Sequence, residues 1–261
     1  MKVDEGTRPQ YVGDSEEEKP TSLRSARILL LTAHPDDEAF FFGPTIVSLA
    51  SQLRGDSSAG ELYSLCLSTG DADGLGDIRK GELVRSLDAL GIAEGRRWLL
   101  DKEGLKDNFT TTWDANLIAD VVRPYVIEHR ISTILTFDHR GISYHPNHRS
   151  LFHGVAHLLS TIPDPPKAYA LISLPTLAKY FGVVAPLLAK LDIAFAHAVS
   201  YFGYPSSDIP VFVAGAKDYL TAARALRQHK SQMIWFRWLY LVFSRYMWVN
   251  EWVEILAAVT Q

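Results

Sequence analysis

The sequence lacks most of the features that assign a function at sight. Cys66 is the only cysteine among 261 residues. Neither a disulfide framework nor a thiolate metal cluster can be built from it, and a reducing environment fits best. Basic excess is missing too: the formal net charge is −4, which removes the broad positive field that nucleic-acid binders use, so no nucleic-acid partner is expected. Residues 1–25 hold no apolar segment of signal-peptide or membrane-span length. They are polar, with Glu16, Glu17 and Glu18 in a row, and read as a disordered lead-in. The longest apolar tract, "QMIWFRWLYLVFSRYMWVNEWVEILAAV", is interrupted by Arg237, Arg245, Glu251 and Glu254, too often for a simple transmembrane helix. There is no internal repeat, and the one low-complexity insert, "RGDSSAGE" at 54–61, reads as a surface loop.

What is present is enough for a sizeable core. At 47% hydrophobic and 21% charged residues the chain is most simply one folded unit. Strand-like runs alternate with helix-like ones: "ARILLLTA" then 38–53, "LYSLCLS" then 78–91, "RWLL" then 114–129, and "STILTF" then 147–160. That rhythm predicts an α/β fold, Rossmann-like, with a mostly parallel sheet and helices on both faces. "AYALISL", "IAFAHAV" and "VFVAG" read as further strands, followed by a helix over about 216–230. The expected organisation is a single α/β domain over 26–230 and an aromatic, helical C-terminal segment over 231–261.

Polar clusters follow the strands in series: "HPDDE", "STGDADGLGD", "DKEG" and "DHRGISYHPNH". In open α/β sheets the carboxyl ends of the strands form the ligand crevice, so four polar loops at one sheet edge point to one site. "HPDDE" alone is ordinary helix punctuation, with Pro35 near a helix start and acids complementing its dipole. That reading leaves His34 unexplained, and with it the Asp138, His139, His145 and His148 group after the fourth strand. His34, Asp37 and His148 together offer two imidazoles and a carboxylate, a set typical of a catalytic zinc that keeps a position open for water. His145 and His148, three apart at a turn into a helix, can face one side, one on a metal and the other toward substrate. Asp36 is the natural general base, and Glu38 a cap or a support behind the ligands.

These motifs carry a resemblance. "AHPDDE" followed about a hundred residues later by "HPNH" resembles the LmbE/PIG-L superfamily of zinc-dependent N-acetylglucosamine deacetylases. "CLSTGDADGLGDIRKGELVRSLDALGI", "LTFDHRGISYHPNH" and "HKSQMIWFRWLYLVFSRYM" are similar, in order, to segments of its eukaryotic branch, the N-acetylglucosaminyl-phosphatidylinositol de-N-acetylases. Carried over residue by residue, the resemblance implies that His34, Asp37 and His148 hold Zn2+, that Asp36 is the general base and that His145 assists the tetrahedral intermediate. It implies removal of an N-acetyl group from a glycolipid in the second step of GPI-anchor assembly, at the cytoplasmic face of the endoplasmic reticulum membrane.

Arg79 looks like the family's substrate-side arginine, and Tyr144 offers a hydroxyl for the oxyanion or simply packs. Asn147 stands where bacterial relatives usually have Asp; an amide can orient a histidine but supplies no charge. The eukaryotic relatives often carry an N-terminal anchor, which is not expected in these 261 residues. Trp235, Phe236, Trp238, Tyr240, Phe243, Tyr246 and Trp248, with Arg237 and Arg245 among them, have the makeup of a membrane-interfacial segment or of a helix packed on the core. Two alternatives stay open: a deacetylase of another, water-soluble N-acetylglucosamine conjugate, and a non-catalytic glycolipid or partner-binding scaffold.

Overall fold

Five strands form where the alternation of apolar runs predicts them: β1 (Arg27–Thr32), β2 (Glu61–Cys66), β3 (Arg97–Leu99), β4 (Thr133–Phe137) and β5 (Lys167–Leu171). They are seen in a computed structural model that describes residues 26–53, 60–202 and 209–257. The expected lead-in over 1–25 and most of the expected loop over 54–61 lie outside the described residues. β6 (Val211–Val213) and β7 (Val249–Glu254) complete a seven-stranded sheet of order β3-β2-β1-β4-β5-β7-β6. β1 to β5 pair in parallel, and β7 runs antiparallel between β5 and β6. Strands covered on both faces must be apolar on both, and Leu29, Leu30 and Leu31 of β1 are all fully buried.

The helices are α1 (Asp37–Phe40), α2 (Gly43–Leu53), α3 (Gly76–Leu90), α4 (Ala115–Glu128), α5 (Gly141–Tyr144, one distorted turn), α6 (Pro146–Thr161), α7 (Ala185–Tyr201), α8 (Ala216–Leu226) and α9 (Trp235–Phe243). From β1 the chain winds outward through β2 to β3, then returns to β4 on the other side of β1 and winds outward to β5. Right-handed crossovers in opposite directions put their helices on opposite faces. Accordingly α4 packs on α6, while α2 and α3 pack on α8. The winding reverses between β1 and β4, the switch point where such sheets open a crevice.

Three expectations change. The helix expected over 38–53 is broken between Phe40 and Gly43, because Pro44 cannot donate to the carbonyl four residues back, that of Phe40, and its ring crowds it. The C-terminal segment takes up the freed carbonyls: Tyr240 Oη donates to Phe40 O at 2.6 Å and Asn250 Nδ2 to Phe41 O at 2.8 Å. "IAFAHAV" lies within α7, not in a strand. Its alternation mimics a strand, yet Ala185 and Ala189, one helical turn apart, set the face that packs on Val249. The C-terminal segment over 231–261 is not simply helical: after α9 it enters the sheet as β7. There Trp252 is fully buried, stacked on Phe42 at 5.8 Å and donating to Thr45 Oγ1 at 3.0 Å. The segment is thus part of the same core as the five parallel strands.

Candidate active site

β1 ends at Thr32 and α1 begins at Asp37, so "AHPDD" makes the turn between them. Asp36 is the residue before α1 and sits at φ 112°, a strained conformation for a non-glycine residue. Glu38 holds it there: Oε2 accepts the Asp36 N–H at 3.0 Å, while Oε1 accepts from Ser86 Oγ at 2.5 Å and stands 2.6 Å from His229 Nε2. Glu38 and His229 are both fully buried. Glu38 therefore serves as a support behind the site; its anchor, His229, opens the segment "HKSQM" that carries part of the family resemblance, but its role behind Glu38 is set by the fold.

After β4, His145 is the N-cap of α6, Pro146 its first residue and His148 its third. Cap and third helical position lie one turn apart, which is why the two imidazoles meet, with centroids 4.7 Å apart. Gly141, at φ +56°, is required beside them, since a Cβ there would stand 2.8 Å from His148 Cβ. Its carbonyl is 3.3 Å from His148 Nδ1, which directs Nε2 at the site.

The donor atoms converge. His34 Nδ1 lies 3.3 Å from His148 Nε2 and 3.9 Å from Asp37 Oδ2, and Asp37 Oδ1 lies 3.1 Å from His148 Nε2. Ligands about 2.0–2.1 Å from a tetrahedral zinc stand roughly 3.3 Å from one another, so the set fits a divalent metal. His34, His145 and His148 also form a group able to hold an ion, their ring nitrogens within 4.8 Å. His145 Nδ1 accepts the Asn147 N–H at 3.3 Å, and the Asp37 carboxylate stands as an alternative third donor beside His34 and His148.

The back of His34 is held as metal-binding imidazoles usually are. Its Nε2 is 3.1 Å from both Asn147 Oδ1 and Asp107 Oδ1. Asn147 is fully buried and also accepts the Asn108 N–H at 3.1 Å, so the amide does orient a histidine, and the charge comes instead from Asp107. Sequence reasoning missed Asp107, which lies just beyond the "DKEG" loop with no motif around it.

Charge in the pocket is finely divided. Burial opposes ionisation of Asp37, but His148 and His34 beside it and the His34 N–H hold its carboxyl well below the usual range. Burial pushes Asp36 up from the usual carboxylate value, against the pull of Arg79 and Arg237. Burial, then His148 and His34, bring His145 down to about 4.

Other expected residues divide. Arg79 is buried, and its guanidinium donates to Gly70 O at 2.8 Å and Pro35 O at 2.6 Å while lying 3.6 Å from Asp36 Oδ1 and 3.7 Å from Asp107 Oδ2. It ties three loops together. Tyr144 is not brought in: at φ 60° its side chain is 66% exposed, away from the residues that line the cavity. Asp138 accepts from the N–H groups of Arg140, Gly141 and Ser173 and shapes the loop, and His139 is exposed. The expected headgroup cations are engaged within the protein, Arg245 with Glu251 at 2.6 Å and Arg237 with Asp36 at 2.9 Å. Arg237, Phe109 and Lys179 line a cavity of about 730 Å³ together with the histidines and Asp36.

The chain is similar to known proteins over most of its length. The bovine (Bos taurus) N-acetylglucosaminyl-phosphatidylinositol de-N-acetylase is 37% identical over 87% of this chain and 82% of its own length. The probable enzyme of that name from Schizosaccharomyces pombe is 34% identical over 84% and 83%. The N,N'-diacetylchitobiose deacetylase of Pyrococcus horikoshii, 15% identical, shares the fold with a TM-score of 0.58 over 88% of this chain and 84% of its own. Residues 29–159, which run from within β1 into α6 and carry every donor atom described above, match the profile of the family described as PIG-L, GlcNAc-PI de-N-acetylase, and the chain belongs to that family.

Proposed function

We propose that this protein is a metal-dependent deacetylase that converts N-acetylglucosaminyl-phosphatidylinositol to glucosaminyl-phosphatidylinositol and acetate, in GPI-anchor assembly. The observation that carries this reading is the convergence of His34 Nδ1, His148 Nε2 and the Asp37 carboxylate within 3.1–3.9 Å on the floor of a cavity that also presents Asp36. His34, Asp37 and His148 hold the metal. Two imidazoles and a carboxylate favour zinc, which when bound polarises a carbonyl and acidifies water.

The chain's own groups do the rest. For catalysis at neutral pH Asp36 acts in its carboxylate form, which burial disfavours and the two facing arginines favour, and takes a proton from the attacking water. The carboxylic acid so formed is strong enough to return that proton to the leaving amine nitrogen. His145 is neutral at that pH, and because its Nδ1 accepts from Asn147, its proton sits on Nε2, free to donate to the developing oxyanion. Arg79 positions Asp36 and the ligand loops. On this reading the protein works at the cytoplasmic face of the endoplasmic reticulum membrane, on a substrate whose lipid part is held in the bilayer.

The test is acetate release from N-acetylglucosaminyl-phosphatidylinositol by metal-loaded wild type and Asp36→Asn. Turnover in the first and its loss in the second supports the reading; full turnover in Asp36→Asn removes the base from Asp36.

A further inference from the structure

α7 leaves a broad apolar arc exposed. Gly182–Tyr201 is a 20-residue helical stretch long and apolar enough to cross a membrane, yet only 17% of its apolar window is buried. On a wheel of about 100° per residue, Val183, Val184, Leu187, Leu188, Leu191 and Phe195, all exposed, fall on one arc. Lys190 and His197 border it on one side and Asp192 on the other. A surface helix of a water-soluble domain normally carries its polar residues there.

The arc is continuous with the active-site mouth. Gly182 packs so closely on the end of α9 that a Cβ would lie 2.7 Å from Val242 O, and the α9 residues Phe236, Leu239 and Phe243, with Tyr180, are both exposed and part of the cavity wall. Apolar surface of this extent marks an interaction site.

We propose that α7 and the segment leading into it form, together with α9, a face that embeds in one leaflet of a phospholipid bilayer, so that the cavity mouth opens onto lipid and the substrate enters sideways, its acyl chains remaining in the leaflet. The inference rests on the lipid-linked substrate proposed above. Two observations select lipid as the occupant. Trp235 and Trp238 sit exposed on α9, as at membrane interfaces. A protein docked on this face would cover the cavity mouth, whereas a lipid surface is itself the source of a lipid substrate.

The helix lies in the bilayer surface and does not cross it. Ala185 and Ala189 pack on Val249, with Val211 and Val213 beside them, so crossing would carry β6, at the edge of the sheet, into hydrocarbon, where an open sheet edge is not tolerated.

The test uses the full chain and L187E/L191E, two side chains exposed enough (60% and 57%) to leave the fold intact, verified by circular dichroism. Co-sedimentation with vesicles of phosphatidylcholine and phosphatidylinositol is expected to weaken by roughly a hundredfold in the variant, the effect of withdrawing two leucines from hydrocarbon. Acetate release from substrate embedded in those vesicles falls with it, while release from the water-soluble N-acetylglucosaminyl-inositol headgroup is unchanged. Vesicle binding equal to wild type overturns the proposal. So does a wild type that ignores vesicles and sediments as a dimer that the variant dissociates, which assigns the face to a second copy. No acetate from either substrate would refute the proposed function, while vesicle binding still decides the surface.

Discussion

Arg237 Nη1 lies 2.9 Å from Asp36 Oδ2, and Arg79 Nη2 lies 3.6 Å from Asp36 Oδ1. The candidate base is thus clamped between two cations, one from α3 and one from α9. Burial raises Asp36 and the arginines lower it, so removing Arg237 raises it further. The base acts ionised, and activity is lost as pH falls through its pKa. Arg237→Ala is therefore expected to move the acid limb of kcat/KM to higher pH, and Arg237→Lys to move it less. A limb that stays in place shows that Arg237 does not act on Asp36.

Asp36→Asn keeps every proposed metal ligand and loses the base. Its kcat should fall about a hundredfold to ten-thousandfold, the range for general acid–base groups, with metal content unchanged by elemental analysis. His34→Ala and Asp37→Ala should instead lose metal and activity together, and a chelator should silence wild type until zinc is restored.

Asp107 Oδ1 stands 3.1 Å from His34 Nε2 as its ion-pair partner, beside the Asn147 Oδ1 that the same nitrogen faces. Asp107→Ala is expected to weaken zinc affinity by about 10–100-fold, the usual effect of removing the partner behind a metal-bound histidine. Competition titration against a zinc indicator measures it directly, without turnover. Asp107→Asn, which keeps an acceptor, should fall between the two.

Glu38 and His229 form a buried pair at 2.6 Å. Breaking it from one side leaves the other group uncompensated, so His229→Leu should cost roughly 3–5 kcal/mol in chemical denaturation. Burial opposes the charged form of His229, but Glu38 holds its pKa above the ordinary 6.5. The stabilisation from this shift is complete below pH 6.5 and fades as pH rises through the raised value. The stability of wild type relative to Glu38→Gln should decline across that window; a gap that is flat with pH would show that the pair is not charged.

Local sequence was enough for the parallel sheet and for the ends of β1 and β4. The reason is chemical: fully buried strands must be continuous apolar runs, and the polar groups that work at their ends must follow directly in sequence. His34, Asp37, His145 and His148 were legible because each lies within a helical turn of its strand end or helix cap. Asp107, His229 and Arg237 were not, because each reaches its partner, His34, Glu38 or Asp36, from a segment far along the chain whose local pattern is that of an ordinary loop or amphipathic helix. Tyr144 shows the converse: it is next to His145 in sequence, yet a left-handed backbone turns it to solvent. Only tertiary structure could decide that the C-terminal segment enters the sheet as β7, since Trp252 and Asn250 find their partners, Phe42, Thr45 and Phe41, some two hundred residues away. The same holds for α7, whose composition suits a core helix or a membrane one; which of its faces the protein covers is set by β6 and β7 packing against Ala185 and Ala189.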